Sequence, residues 1–114
     1  MNAIWAEDNS FDLWLRVEIA ASEAWTEQGV VPEQDMAKIR CAKFDRSIYD
    51  KWFEQTKHDI VSFTRAVGES LGVEGRWIHH GLTSNDVKDT ALSMQLVQSC
   101  DLLDKGLVDL LNAL

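Results

Sequence analysis

The sequence predicts an all-α chain, and three observations carry that expectation. Apolar residues recur at steps of three and four, a single Pro (Pro32) interrupts the chain, and no run alternates apolar and polar residues convincingly. The 114 residues are 46% hydrophobic and 26% charged, a globular rather than a disordered balance. Five tryptophans (Trp5, Trp14, Trp25, Trp52 and Trp77) each bring a large apolar body, enough for a packed core at this size.

The first helix is expected from Phe11 to Gln28. Ser10 is positioned as its cap, Trp14, Val17, Ala21, Ala24 and Trp25 form one face, and Gly29 supplies the stop. A short second helix begins with Pro32 in its first turn, carries Met36 and Ile39 inward, and ends near Ala42. Asp45 reads as the cap of a helical stretch over residues 46–71. Ile48, Trp52 and Phe53 face the core in its first half, and Ile60, Phe63, Val67 and Leu71 form a row in its second, before Gly72. Polar residues Thr56-Lys57-His58-Asp59 sit between the halves, where a bend is compatible with the pattern.

Residues 72–82, with Gly72, Gly75 and Gly81 around Trp77 and His79-His80, read as a loop. Thr83 or Ser84 then caps the longest helix, and Asp86 completes a capping-box pattern with Thr83. Along this helix Leu92, Leu96, Ser99, Leu103, Leu107, Leu110 and Leu114 recur at steps of three and four, and Val87, Ala91, Met94, Val97, Val108 and Leu111 widen the stripe. Such a helix spans about 43 Å, against an expected radius of gyration of about 13 Å. Its second half is expected to outrun the other helices and to need a partner.

The formal net charge of −8 argues against a nucleic-acid polymer as partner, which would need clustered Lys and Arg. A small anion remains compatible, because helix N-termini and a few local cations bind one. No apolar run reaches membrane-spanning length, and the first residues lack the basic start and apolar stretch of a signal peptide. Cys41 and Cys100 share no metal-ligand spacing and read as reduced thiols. The cytoplasm is the expected location.

Three histidines carry the chemical interest. His58 precedes Asp59, and His79-His80 precede Gly81-Leu82-Thr83-Ser84. Imidazole exchanges protons near neutral pH. Thr83 and Ser84 bring hydroxyls to a helix N-terminus, where unpaired N–H groups and the dipole favour a carboxylate or phosphate. On residue chemistry alone a structural His-Asp pair and a plain Thr-Ser cap are the commoner outcomes. No third ligand accompanies His79-His80, so no metal is expected. Ser84 has no strand-to-helix elbow to make it a triad nucleophile.

The run Lys57-His58-Asp59-Ile60-Val61-Ser62-Phe63-Thr64-Arg65, followed by Trp77-Ile78-His79-His80-Gly81-Leu82-Thr83-Ser84-Asn85-Asp86-Val87-Lys88-Asp89-Thr90-Ala91, resembles the adenylosuccinate lyase family of the fumarase/aspartase superfamily. Ile4-Trp5, Trp14-Leu15-Arg16-Val17-Glu18 and Glu23-Ala24-Trp25 extend the resemblance over essentially the whole chain. It implies an N-terminal helical domain over residues 1–84 and the start of a central bundle helix over 85–114. It also implies β-elimination of fumarate from adenylosuccinate, giving AMP, and from succinylaminoimidazole carboxamide ribotide, without a cofactor. By the same resemblance, Lys57, His58, Asp59, His79, Thr83 and Ser84 bind the succinylated purine nucleotide, and His58 assists proton transfer.

The chain departs from the family where Met1-Asn2-Ala3 replaces an Arg-Tyr pair that helps hold phosphate, and where His80 stands in place of Tyr. The family's principal acid and its mobile catalytic loop fall beyond Leu114, and its active sites combine three subunits of a homotetramer. The chain alone is therefore expected to be inactive. Two other readings compete. One is an all-α interaction module that binds a partner helix through its leucine-striped final helix. The other is a different lyase of the superfamily, which Leu82 and Phe63-Thr64-Arg65 disfavour by resemblance.

Overall fold

The computed structural model describes all residues, 1–114, and its regular structure is entirely helical, with no strand. In chain order the helices are α1 (Glu7–Glu27), α2 (Glu33–Ile39), α3 (Arg46–Thr56), α4 (Asp59–Leu71) and α5 (Ser84–Ala113), with a 3-10 helix over Gly72–Trp77 between the last two.

The first helix starts earlier than the sequence suggested. Ala6, in extended conformation, is its N-cap, and Glu7 and Asp8 place negative charge in the first turn, where the macrodipole favours it. Ser10 lies inside the helix, and its hydroxyl accepts from the Gln95 side chain at 3.2 Å rather than capping. The other end follows expectation. Gly29, at φ +75°, closes a Schellman turn in which its N–H reaches Thr26 C=O and that of Val30 reaches Trp25 C=O, both at 2.9 Å. Pro32 stands at the N-cap of α2, one place before its expected first-turn position.

The stretch 46–71 is two helices. Asp45 caps α3, accepting from the N–H groups of Ser47 at 2.8 Å and Ile48 at 3.2 Å. Lys57 then turns left-handed (φ 51°), and His58 caps α4 by accepting from the Val61 N–H at 3.3 Å. The polar wedge thus ends one helix and starts the next. Both helices pack on α1 around an aromatic cluster. Phe11 stacks on Phe44 at 4.4 Å between ring centroids and meets Tyr49 and Trp14 edge-on at 4.8 and 5.3 Å, with Phe63 stacked on Phe44 at 5.3 Å. Val31, Met36, Ile39 and Val67 complete the core. Tyr49, not Phe53, is the buried aromatic of α3; Phe53 keeps 38% of its surface exposed.

On α1 the buried positions are Phe11, Leu13, Glu18 and Ser22, while Trp14 and Trp25 are half-buried and Ala24 is exposed. A single-stripe reading fails here because α1 is covered from two sides, by α2 and by α5. On α5 the contact row is Val87, Ala91, Gln95 and Ser99 at successive steps of four. Small side chains let the helices approach, and Gln95 donates to Ile4 C=O at 2.8 Å. Leu92 and Leu96 stand beside that row, 45% and 50% exposed, rather than in it. From Asp101 to Leu114 every residue is exposed, so the second half of α5 projects beyond the body. The molecule measures 58 × 36 × 22 Å, with a radius of gyration of 16.8 Å.

Phe63 is fully buried between α1 and α3, whereas Phe53 lies at the surface. Phe63→Ala is expected to cost about 3–5 kcal/mol, and Phe53→Ala less than about 1 kcal/mol. Denaturant unfolding of both variants checks the order. Equal losses would place the core elsewhere.

Candidate functional site

The sequence-predicted site residues gather into two clusters around the start of α5. The first forms where α3 gives way to α4. His58 Nδ1 accepts the Val61 N–H, so the neutral ring carries its proton on Nε2, and the side chain is about half exposed. The Asp59 carboxylate accepts from the Ile60 N–H at 2.7 Å and pairs with Lys88 of α5, Nζ to Oδ2, at 2.5 Å. His58 Nδ1 lies 3.6 Å from the other Asp59 oxygen. Burial pushes the Asp59 carboxyl up, but Lys88 and the Ile60 N–H outweigh it, and the net shift is down. Lys57 is exposed and forms no ion pair. Its role in the fold is the left-handed C-cap of α3.

The second cluster centres on His79, in the turn after the 3-10 helix. Its backbone N–H donates to Glu18 Oε2 at 2.7 Å, and its Nδ1 lies 2.6 Å from Glu18 Oε1. Glu18 has no exposed surface. Burial pushes its carboxyl up, and the His79 contacts offset this only in part. His79 sits at φ 67°, a region costly for a residue with a Cβ, so the two bonds hold a strained backbone in place.

The turn around His79 is clamped on both sides. Trp25 Nε1 donates to His80 C=O at 2.9 Å, and Trp77 Nε1 donates to Asp35 at 2.7 Å. A Cβ on Gly81 would stand 2.8 Å from the Trp25 ring, so the chain passes there without a side chain. His80 lies edge-on to both indoles at 5.3 and 5.6 Å and is exposed.

Thr83 is the N-cap of α5, and the Asp86 carboxylate accepts its N–H at 2.7 Å, as the capping-box pattern predicted. The Thr83 hydroxyl faces the Asp86 N–H in that box and keeps only its own proton to donate, while the Ser84 hydroxyl has no partner in the chain. The N–H groups of Ser84 and Asn85 find no partner in the chain. These donors sit at the positive end of a 30-residue helix, one turn before Lys88. That arrangement suits a carboxylate.

Residue chemistry in the sequence does not single out Glu18, although it organises this region. Its partner is 61 positions away, and the contact exists only in the tertiary structure. The largest concavity, a groove of about 720 Å³ between α1 and α5, is lined by Arg16, Val17, Ala20, Leu82, Thr90 and Met94. None of the predicted site residues lines it. No group of three or more His, Cys, Asp or Glu side chains could hold a metal ion, and no helix is long and apolar enough to cross a membrane.

The Asp59–Lys88 pair has a pH signature. A carboxylate held below its usual value stabilises the fold above about pH 4, and that contribution is lost as pH falls through the folded-state value. Lys88→Met leaves burial to push Asp59 up instead. The stability gap between wild type and Lys88→Met should therefore widen as pH rises from about 3 to about 6 and then level off. Denaturant unfolding across that range checks it. A gap that does not change with pH would mean that the pair contributes no charge coupling.

Comparison with known proteins gives one consistent answer. A family model described as lyase matches residues 1–114. The adenylosuccinate lyase of Bacillus subtilis (strain 168) is 53% identical over 108 residues, which cover 94% of this chain and 25% of that protein. The crystal structure of a fumarate lyase from Mesorhizobium sp. BNC1 superposes with a TM-score of 0.80 over 91% of this chain and 26% of that one. At 19% identity that likeness concerns the fold, and it matches the all-α architecture. The chain spans about a quarter of the length of the curated relative it matches. Matched from its first residue to its last, and folded like a solved fumarate lyase, the chain belongs to the lyase family.

Proposed function

We propose that this chain is the first part of an adenylosuccinate lyase and supplies substrate-binding groups to its active site. The whole enzyme eliminates fumarate from adenylosuccinate, giving AMP, and from succinylaminoimidazole carboxamide ribotide, in cytoplasmic purine biosynthesis. The observation that carries the reading is the donor set at the start of α5. The Ser84 hydroxyl, the proton of the Thr83 hydroxyl, two unpartnered N–H groups and the positive end of the helix dipole stand there, one turn before the Lys88 that pairs with Asp59.

The elimination removes a proton next to a carboxylate and protonates a leaving nitrogen, while negative charge builds on the carboxylate. Donors fixed before the reaction stabilise that charge without reorganising. Thr83 and Ser84 fit this task. His58 presents Nε2–H as a donor and assists proton transfer or orients the substrate, while Lys57 and Asp59 bind the nucleotide part. His79 binds the substrate through its free ring nitrogen. Residues 1–84 form the N-terminal domain, and 85–114 begin the bundle domain. No step in this account calls for a cofactor or metal.

The remaining catalytic groups come from further chain and from other subunits, so the 114 residues alone release no fumarate. The exposed leucines of α5 support assembly. Leu103, Leu107, Leu110 and Leu111 are each more than half exposed, and contiguous apolar surface of this kind marks an interface. In the full enzyme we assign that surface to the bundle of a homotetramer.

Substitution in the full polypeptide separates binding from capping. Ser84→Ala should lower kcat/KM for fumarate release by about 10²-fold. Thr83→Ala should lower it similarly, at a cost in stability of no more than about 0.5–2 kcal/mol. If both variants keep wild-type kinetics and only melt earlier, the two residues are caps and the assignment fails.

A further inference from the structure

We propose that Glu18 is a positioning residue for His79, fixing its ring in the tautomer that leaves Nε2 bare as a hydrogen-bond acceptor toward the substrate. This rests on the reading of His79 as a substrate-binding residue and gives a role to Glu18, to which the sequence motifs assign none.

The geometry leaves few alternatives. A backbone N–H can only donate, so Glu18 Oε2 accepts from the His79 N–H at 2.7 Å. The His79 N–H and ring both favour the ionised form of Glu18 against its burial, and an ionised carboxylate has only lone pairs to offer, so its Oε1, 2.6 Å from Nδ1, then takes the ring proton on Nδ1. The neutral ring then has a bare Nε2. That nitrogen has no partner within the chain, and no buried side-chain nitrogen is left unpaired, so Nε2 reaches the surface. The His79 side chain is 23% exposed, while its carboxylate partner is fully enclosed.

One buried carboxylate therefore sets three properties of His79 together: its left-handed backbone, its ring orientation and its tautomer. The arrangement also sets His79 against His58. In His58 the Val61 N–H occupies Nδ1, so its neutral ring presents Nε2–H. His58 thus presents a donor and His79 an acceptor, and in each case a local bond rather than solvent determines which.

The Glu18→Gln substitution isolates the tautomer. The amide is nearly isosteric, its oxygen can still accept the His79 N–H, and its NH₂ group can donate to Nδ1. Both bonds survive, but Nδ1 must now be bare and Nε2 protonated, which inverts what the ring offers. An amide in place of an orienting carboxylate is known to preserve geometry and disable catalysis in this way.

The test uses the full polypeptide with wild-type, Glu18→Gln and His79→Ala forms. Fumarate release from adenylosuccinate is measured alongside thermal melting and histidine ring-¹⁵N spectra, with the His79 signals identified by their absence in His79→Ala. The expected result is a wild-type His79 ring protonated at Nδ1, and a Glu18→Gln ring protonated at Nε2. Activity of Glu18→Gln should fall by about 10²-fold while its melting stays near wild type. Wild-type activity in Glu18→Gln, with His79→Ala impaired, would overturn the positioning role. A wild-type ring protonated at Nε2 would overturn it too, even if Glu18→Gln failed to fold. Wild-type activity in His79→Ala would instead remove His79 from substrate binding, a separate failure of the functional reading.

Discussion

A carboxylate taken fully out of water is expensive unless donors replace the lost solvent, and Glu18 is enclosed in the middle of α1. Both of its donors come from one residue, His79. That coupling fixes where the chain must be five residues before α5 begins. The clamps by Trp25 on His80 and by Asp35 on Trp77 hold the same turn from either side. With the turn fixed, the first turn of α5 has little freedom left. Ser84, Asn85 and Lys88 then stand where the Asp59 carboxylate meets Lys88.

The rest of the packing follows from covering α1 on two sides. Aromatic rings from α1, α3, α4 and the segment before α3 form the core on one side. The other side meets α5 through small and polar residues, with Gln95 and Gln98 bonded to the segment that leads into α1 and to its first turn. Such an interface fixes register by hydrogen bonds and close approach rather than by large side chains. It ends at Ser99, and the leucines beyond it are left in water. Alone, that surface is a liability. In a longer chain or an assembly it is where the remaining structure would pack.

Features determined by a few neighbouring residues were legible in the sequence. The Asp45 cap, the stops at Gly29 and Gly72, and the Thr83–Asp86 cap all occur as read. Features determined by distant partners were not. Ser10 resembles a cap, but Gln95 takes its hydroxyl. Leu92 and Leu96 look like core residues by periodicity, yet the close α1–α5 contact selects Val87, Ala91, Gln95 and Ser99. Tyr49 and Phe53 lie one helical turn apart, and only the position of Phe11 shows which one is buried. In the site, sequence resemblance points to His79, but the carboxylate bonded to it lies 61 positions upstream in α1, in a segment whose resemblance carries no role for it.

The start of α5 is the proposed seat of a substrate carboxylate. A structure of the full polypeptide with adenylosuccinate bound tests it most directly. A succinyl carboxylate oxygen is expected within about 3.2 Å of the Ser84 hydroxyl or of the Ser84 or Asn85 N–H. A succinyl group held elsewhere, with water occupying those donors, would contradict it.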